Sequence, residues 1–91
     1  MIAAVVLIRT GPGDIPEIAR RIASVEGVAE VYSVSGEYDL VAIVRVAEYE
    51  RIAQIVTEEI ARVPGLERTY TLTAFRVYSK LDAEAAWDMF D

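Results

Sequence analysis

The chain has 91 residues with a formal net charge of −6, and it contains neither cysteine nor histidine. Its length fits one domain, and the two missing residue types exclude thiolate and imidazole catalysis, zinc fingers and haem ligation. Because the acid excess repels phosphate backbones and no stretch clusters lysine or arginine, we predict no direct binding to nucleic acid.

The chain opens with an apolar run from Met1 to Ile8, which stops at Arg9. No basic stretch precedes this run, and no uncharged apolar run approaches the roughly 18 residues of a membrane span. The run therefore predicts a first strand rather than a signal peptide, and we expect no membrane association. The absence of cysteine agrees with a reducing cytoplasm, where we place the protein.

A helix is predicted after this strand. Asp14 is its expected N-cap, with Glu17 three residues on, and Pro16 lies in the first turn, where a missing amide hydrogen is tolerated. Gly27 is expected to end the helix in a left-handed conformation. Apolar residues recur at helical spacing and form one stripe, made of Ile15, Ile18, Ala19, Ile22 and Val25.

Two further strands are predicted at residues 28–35 and 40–46, joined by the turn Gly36-Glu37-Tyr38-Asp39, in which the glycine supplies any positive φ. A second helix is predicted over about residues 48–63, closed by Gly65, and a fourth strand over about residues 69–79. The apolar face of the second helix consists of Ile52, Ile55, Val56, Ile60 and Val63.

The two halves of the chain share one plan, because residues 5–9 resemble 41–45 and residues 25–34 resemble 63–72. The order βαββαβ predicts an α+β fold of the ferredoxin-like type, with a four-stranded antiparallel sheet and both helices on one face. The other sheet face is uncovered in such a fold, yet the first and third strands are apolar on both faces. We therefore expect this open face to pack on another subunit, in a dimeric α+β barrel-type assembly.

The end of the chain is predicted to lie outside this domain. We assign residues 1–79 to the domain and residues 80–91 to a C-terminal tail, in which Asp82 is placed to cap a short helix. Two arrangements of the tail fit the sequence equally: it docks on a neighbouring subunit, or it folds back on its own chain.

Two segments resemble a known family. Residues 31–41 read VYSVSGEYDLV, and residues 63–71 read VPGLERTYT. Both are similar to the ligand-binding (RAM) domain of the Lrp/AsnC feast/famine transcription regulators, over residues 2 to about 79. The resemblance implies dimers formed by facing sheets, which close into a ring that is commonly an octamer. Full-length members also carry a helix-turn-helix domain, which we expect this chain to lack, and such regulators are possible partners in controlling transcription or metabolism.

The resemblance also implies a small-molecule effector, usually an amino acid, bound between neighbouring dimers. Gly36, Tyr38 and Asp39 match the turn of that site, and Thr69 and Thr71 lie where the last strand reaches it. Such a turn offers backbone amides to a carboxylate, while Asp39 would accept from the ammonium and Tyr38 would form a wall. The same turn also fits a structural role, with Tyr38 in the dimer interface and Asp39 in an Asx turn. We predict no cofactor, no metal ligand and no catalytic residue.

Two other functions compete with this interpretation. The segment Gly11-Pro12-Gly13-Asp14 resembles the turn before the first helix of ACT domains, another amino-acid-binding module, whose effector would lie at that loop. A small dimeric α+β barrel enzyme would combine an acid with a tyrosine, for which Glu37, Asp39, Tyr32 and Tyr70 are available. Because turn carboxylates and strand tyrosines are more often structural, we predict that the protein is not an enzyme.

Overall fold

The computed structural model describes residues 1–78 and 80, so the predicted tail helix with Asp82 lies outside the described residues. The strands are β1 (Ile2–Thr10), β2 (Val28–Ser33), β3 (Leu40–Val46) and β4 (Leu66–Thr73). The helices are α1 (Ile15–Ala23) and α2 (Tyr49–Gln54), and α2 continues through a π-helical turn (Ile55–Glu59) and a 3-10 turn (Ile60–Arg62). The predicted order of strands and helices is confirmed.

The four strands form one sheet in the order β2-β3-β1-β4, and every neighbouring pair is antiparallel. The α+β, ferredoxin-like fold is therefore confirmed. In the central pair of strands, Ala4 lies opposite Val44 and Ile8 opposite Leu40. Because side chains on a strand alternate between the two faces, this register places the buried residues of both central strands on the same side of the sheet.

The hydrophobic core lies between that side of the sheet and the two helices. The predicted apolar stripes are the faces that the helices bury, with Val56 and Val63 packed at the margin of the core. The fully or almost fully buried residues are Ala4, Val6, Ile8, Ile18, Ile22, Leu40, Ala42, Val44, Val46, Ile52, Ile55 and Ile60.

Helix α1 begins as predicted, because the Asp14 carboxylate accepts a hydrogen bond from the Glu17 amide at 3.2 Å. It ends earlier than predicted, with Ser24 as its C-cap. Gly27 lies beyond this cap and so does not itself terminate the helix, but its φ is +101°. A Cβ at Gly27 would lie 2.5 Å from Ile55 Cδ1, so glycine here permits both the backbone conformation and the close approach of α2.

The second helical segment differs from the regular helix predicted over 48–63. Only its first part is α-helical, and it ends at Val63, whose ψ of 123° is extended. Proline disfavours the helical conformation of the residue before it, so Pro64 accounts for this end. On this segment the Arg51 side chain is half-buried and donates to the Glu26 carbonyl at 3.1 Å and to Glu59.

Strand β4 begins and ends earlier than the predicted 69–79. It pairs with β1 from Thr10 back to Ala4, and the amide of Ala74 donates to the Ala3 carbonyl at 2.9 Å. Because β1 begins at Ile2, almost no residues of β1 remain to pair with β4 beyond this point. The length of the neighbouring strand therefore sets the end of β4. Strand β2 likewise stops at Ser33 rather than at residue 35.

The middle of the side of the sheet that faces away from the helices is apolar, as predicted for β1 and β3. We call it the open face, and it consists of Val5, Leu7, Tyr32, Val41, Ile43, Tyr70 and Leu72. Its two tyrosines lie on the outer strands and are half-exposed, at 49% and 50%. No helix among the described residues is long and apolar enough to cross a membrane.

Candidate functional site

The turn between β2 and β3 lies at one end of the sheet, and its backbone is open to solvent around Gly36. The amide of Val34 donates to the Asp39 carbonyl at 3.0 Å, which closes the turn. Gly36 has a φ of +117°, and an added Cβ there would have no atom within 4 Å. The predicted positive φ is therefore confirmed, and the glycine is required for conformation rather than for space.

Asp39 fixes this turn to the end of β1. Its amide donates to the Ile8 carbonyl at 2.9 Å, and its carboxylate Oδ2 accepts from the Thr10 amide at 2.8 Å. The partner is 29 positions away in sequence, so the contact is not the local Asx turn considered above. This backbone hydrogen bond holds the carboxylate in place.

Arg9 holds the other side of the turn. Its guanidinium donates twice to the Glu37 carbonyl, from Nε at 3.0 Å and from Nη2 at 2.6 Å. Arg68 lies directly opposite Arg9 on the neighbouring strand. Strand β1 separates Arg68 from the turn, so Arg9 is the arginine that contacts the turn, and neither arginine has an acidic partner among the described ion pairs.

The turn presents four consecutive amide groups, those of residues 35–38. Within the part of the chain that the structure describes, none of them donates a hydrogen bond. Successive backbone N–H groups in a turn form a concavity that binds anions. Together with Arg9, this arrangement is suited to bind a carboxylate.

The other predicted site residues do not join this turn within one subunit. Thr69 lies opposite Ile8 and Thr71 opposite Val6, so both are on the helix side of edge strand β4. Leu40 is the partner of Ile8 on the other side, which places β1 between the turn and the threonines. Two strand spacings separate them, about 10 Å.

Sequence reasoning missed Arg9 and Thr10, the residues that hold the turn. The only local signal was that the first apolar run stops at Arg9. Their partners, Glu37 and Asp39, are 28 and 29 positions away in sequence, and only the register of the sheet brings them together.

The loop named for the ACT-like alternative borders a cleft of about 340 Å³. The cleft lies between the start of α1 and the Pro64-Gly65 turn. Two of the charged side chains that line it pair with each other, since Arg21 donates to Glu17 at 3.1 Å. The lining residues are Pro12, Gly13, Asp14, Glu17, Ile18, Arg21, Pro64 and Gly65.

The acid and tyrosine residues available to an enzyme are dispersed. Tyr32 and Tyr70 lie at opposite edges of the row Tyr32-Val41-Leu7-Tyr70, three strand spacings or about 14 Å apart. Hydrogen bonding to Glu30 raises the pKa of the Tyr32 phenol above its ordinary value, so this tyrosine is not a base near neutral pH. Among the described residues, no three acidic side chains form a group that could hold a metal ion.

Comparison with known proteins identifies the family of the chain and agrees with its fold. A profile of the Lrp/AsnC ligand binding domain matches residues 3–83. An uncharacterized HTH-type transcriptional regulator from Pyrococcus furiosus is 39% identical over 75 residues, which cover 79% of this chain and 50% of that protein. The chain spans about half the length of the curated relatives it matches, and these relatives are transcription regulators.

Two solved structures show the same fold. TTHA0845 from Thermus thermophilus is 48% identical with a TM-score of 0.82, and the match covers 88% of this chain and 100% of that one. A transcriptional regulator from Neisseria meningitidis, solved as an L-Met complex, has a TM-score of 0.76 at 11% identity, covering 86% of this chain and 52% of that one. The second likeness is one of fold alone. With the profile match over almost its whole length, the chain belongs to the Lrp/AsnC family, whose ligand-binding domain it contains.

Proposed function

We propose that this chain is an effector-binding domain whose ligand is a small metabolite with a carboxylate, in the simplest case an amino acid. The observation that carries the proposal is the set of free amides at residues 35–38, in a turn that Asp39 and Arg9 hold to the end of β1. A fixed turn binds an anion without first losing conformational freedom, which favours affinity.

The other predicted residues complete the proposed site. The carboxylate of Asp39 is held through Oδ2, so its second oxygen would accept from the ligand's ammonium. Tyr38 is half-buried beside it and would form an apolar wall. Because Thr69 and Thr71 lie about 10 Å from the turn in the same subunit, their contribution would come from a neighbouring subunit, at a site between dimers.

The proposed assembly is a dimer formed through the open face, with dimers closing into a higher oligomer such as an octamer. The apolar open face supports this, because a large uncovered apolar sheet face is uncommon on a monomer. The L-Met complex of the Neisseria regulator supports an amino acid as the ligand class. In this role the domain would act in the cytoplasm on transcription or metabolism, through copies of itself or through full-length family regulators.

Isothermal titration against the twenty amino acids, with the oligomer mass measured by sedimentation equilibrium, tests this proposal. We expect at least one amino acid to bind, and Asp39→Asn to weaken its binding at least tenfold. Glu37→Gln is the matched control, since Glu37 contributes only its carbonyl to the contacts described. Absence of binding by all twenty, in a protein that remains a dimer, would contradict the effector role.

The cleft at Pro12 to Asp14 supports a second candidate site, the one expected of an ACT-like module. Amide chemical shifts measured during a titration with the bound amino acid distinguish the two sites. The main proposal predicts the largest shifts at residues 35–39, whereas the alternative predicts them at residues 11–14 and at Gly65.

A further inference from the structure

The most exposed apolar side chains of the described residues, apart from Met1, follow directly after β4. Phe75 is 100% exposed, Tyr78 is 86% exposed and Val77 is 63% exposed. We call residues 75–78 the arm. Single exposed apolar residues are common on protein surfaces, but three within four positions form a patch of the kind that marks an interaction site.

The arm leaves its own sheet and borders the open face. Among the described residues, the last backbone hydrogen bond to β1 before the arm is the one from the Ala74 amide to the Ala3 carbonyl. Val77 then lines a hollow of about 280 Å³ together with Met1, Ala3 and Arg45. Ala3 and Arg45 are cross-strand partners on the same side of the sheet as Val5 and Leu7, so the arm forms a rim at the end of the open face opposite the β2–β3 turn.

The geometry points to a second copy of this chain as the partner of the arm. We propose that Phe75 and Tyr78 of each copy pack on the open face of the other, which extends the proposed dimer interface beyond the sheet. Leu72 and Tyr70 make the apolar surface continuous from the open face into the arm. A two-fold dimer repeats this contact, so both arms are buried at once.

The area that the arm would bury supports a second copy. Two aromatic side chains bury about 150–250 Å² each, so the arm would supply roughly half of the ~800 Å² that each partner contributes to a stable interface. The inference rests on the proposed dimer but not on effector binding.

Photo-crosslinking tests the proposal in the full chain. p-Benzoylphenylalanine replaces Phe75, and ¹⁵N-labelled and unlabelled proteins are mixed and allowed to exchange subunits. We expect crosslinked species of dimer mass in which labelled and unlabelled peptides are joined, with attachment to the tryptic peptide of residues 1–9. The same probe at Tyr49, an exposed aromatic residue on α2, is the control and should give no such species.

A second measurement separates the arm from the sheet face. Sedimentation equilibrium should show that Phe75→Ser with Tyr78→Ser weakens the dimer at least tenfold, whereas Tyr49→Ser leaves it unchanged, with circular dichroism confirming that each variant folds. If crosslinks form only within single chains and the variant has the wild-type dissociation constant of the dimer, the proposed arm contact is wrong. The proposed dimer through the open face would not be affected by that result. A wild-type protein that sediments as a monomer would overturn both.

Discussion

The carboxylate of Asp39 accepts a hydrogen bond from the amide of Thr10 at 2.8 Å, which ties the β2–β3 turn to the end of β1. One residue therefore has two separable roles, as a structural acceptor and as the proposed acceptor for a ligand ammonium. Substitutions that change its charge, or remove its side chain, distinguish the two.

Replacing Asp39 with alanine should lower the free energy of unfolding by about 1.5–3 kcal/mol, because the half-buried Thr10 amide loses a charged acceptor. Asp39→Asn keeps an oxygen that accepts the bond, so we expect a smaller loss of stability together with the loss of effector affinity proposed above. Urea unfolding at one fixed protein concentration measures the first effect. Equal losses in the two variants would show that the charge, rather than the acceptor, stabilises the turn.

Arg9→Lys should loosen the turn while leaving the sheet intact. The lysine ammonium cannot reproduce the planar pair of donors that Nε and Nη2 direct at the Glu37 carbonyl. We expect NMR order parameters of the amides at residues 35–38 to fall toward the range below about 0.6 that marks flexible backbone. Arg68→Lys is the control, and unchanged order in Arg9→Lys would mean that Asp39 alone holds the turn.

Gly27→Ala should lower the free energy of unfolding more than Gly36→Ala, although both glycines have positive φ. Both variants place an alanine in left-handed backbone, at a cost of about 1–2 kcal/mol. At Gly27 the new Cβ would also lie 2.5 Å from Ile55 Cδ1, whereas at Gly36 it meets nothing. The clash should add about 1–3 kcal/mol to the destabilisation by Gly27→Ala in urea unfolding. Similar losses in the two variants would show that Ile55 moves aside freely.

Asp14→Ala should destabilise the protein by about 1 kcal/mol through loss of the N-cap of α1. For a domain of this size the expected fall in melting temperature is about 4–8 °C. Asp14→Ser retains a capping oxygen and should recover most of the loss. A melting temperature that is unchanged in Asp14→Ala would mean that packing of Ile18 and Ile22 fixes the start of the helix without the cap.

Leu7→Asp should convert the proposed dimer to a monomer, because it places a charge at the centre of the open face. The matched control is Ala61→Asp, the same charge on the exposed helix side of the molecule. Sedimentation equilibrium reports the mass, and circular dichroism shows whether the fold is kept. A folded Leu7→Asp variant with the wild-type mass would place the subunit contact elsewhere.

Local patterns predicted most of the fold and little of the site geometry. The Asp14 cap, the apolar stripes and the boundaries of β3 follow from residues within a few positions of each other. The end of β4 depended on the length of β1, and the contacts of Arg9 and Asp39 depended on the register between distant strands. Neither can be derived from a residue's own neighbours in sequence.

The strand order β2-β3-β1-β4 interleaves the two similar halves of the chain. β1 and β2 belong to the first half, yet β3 of the second half separates them, so neither half contains a continuous sheet. All three strand pairs are therefore absent until both halves are present, which favours all-or-none folding. A single cut in the exposed turn at Gly36 would leave two fragments joined through all three ladders of the sheet, each fragment needing the other to stay folded.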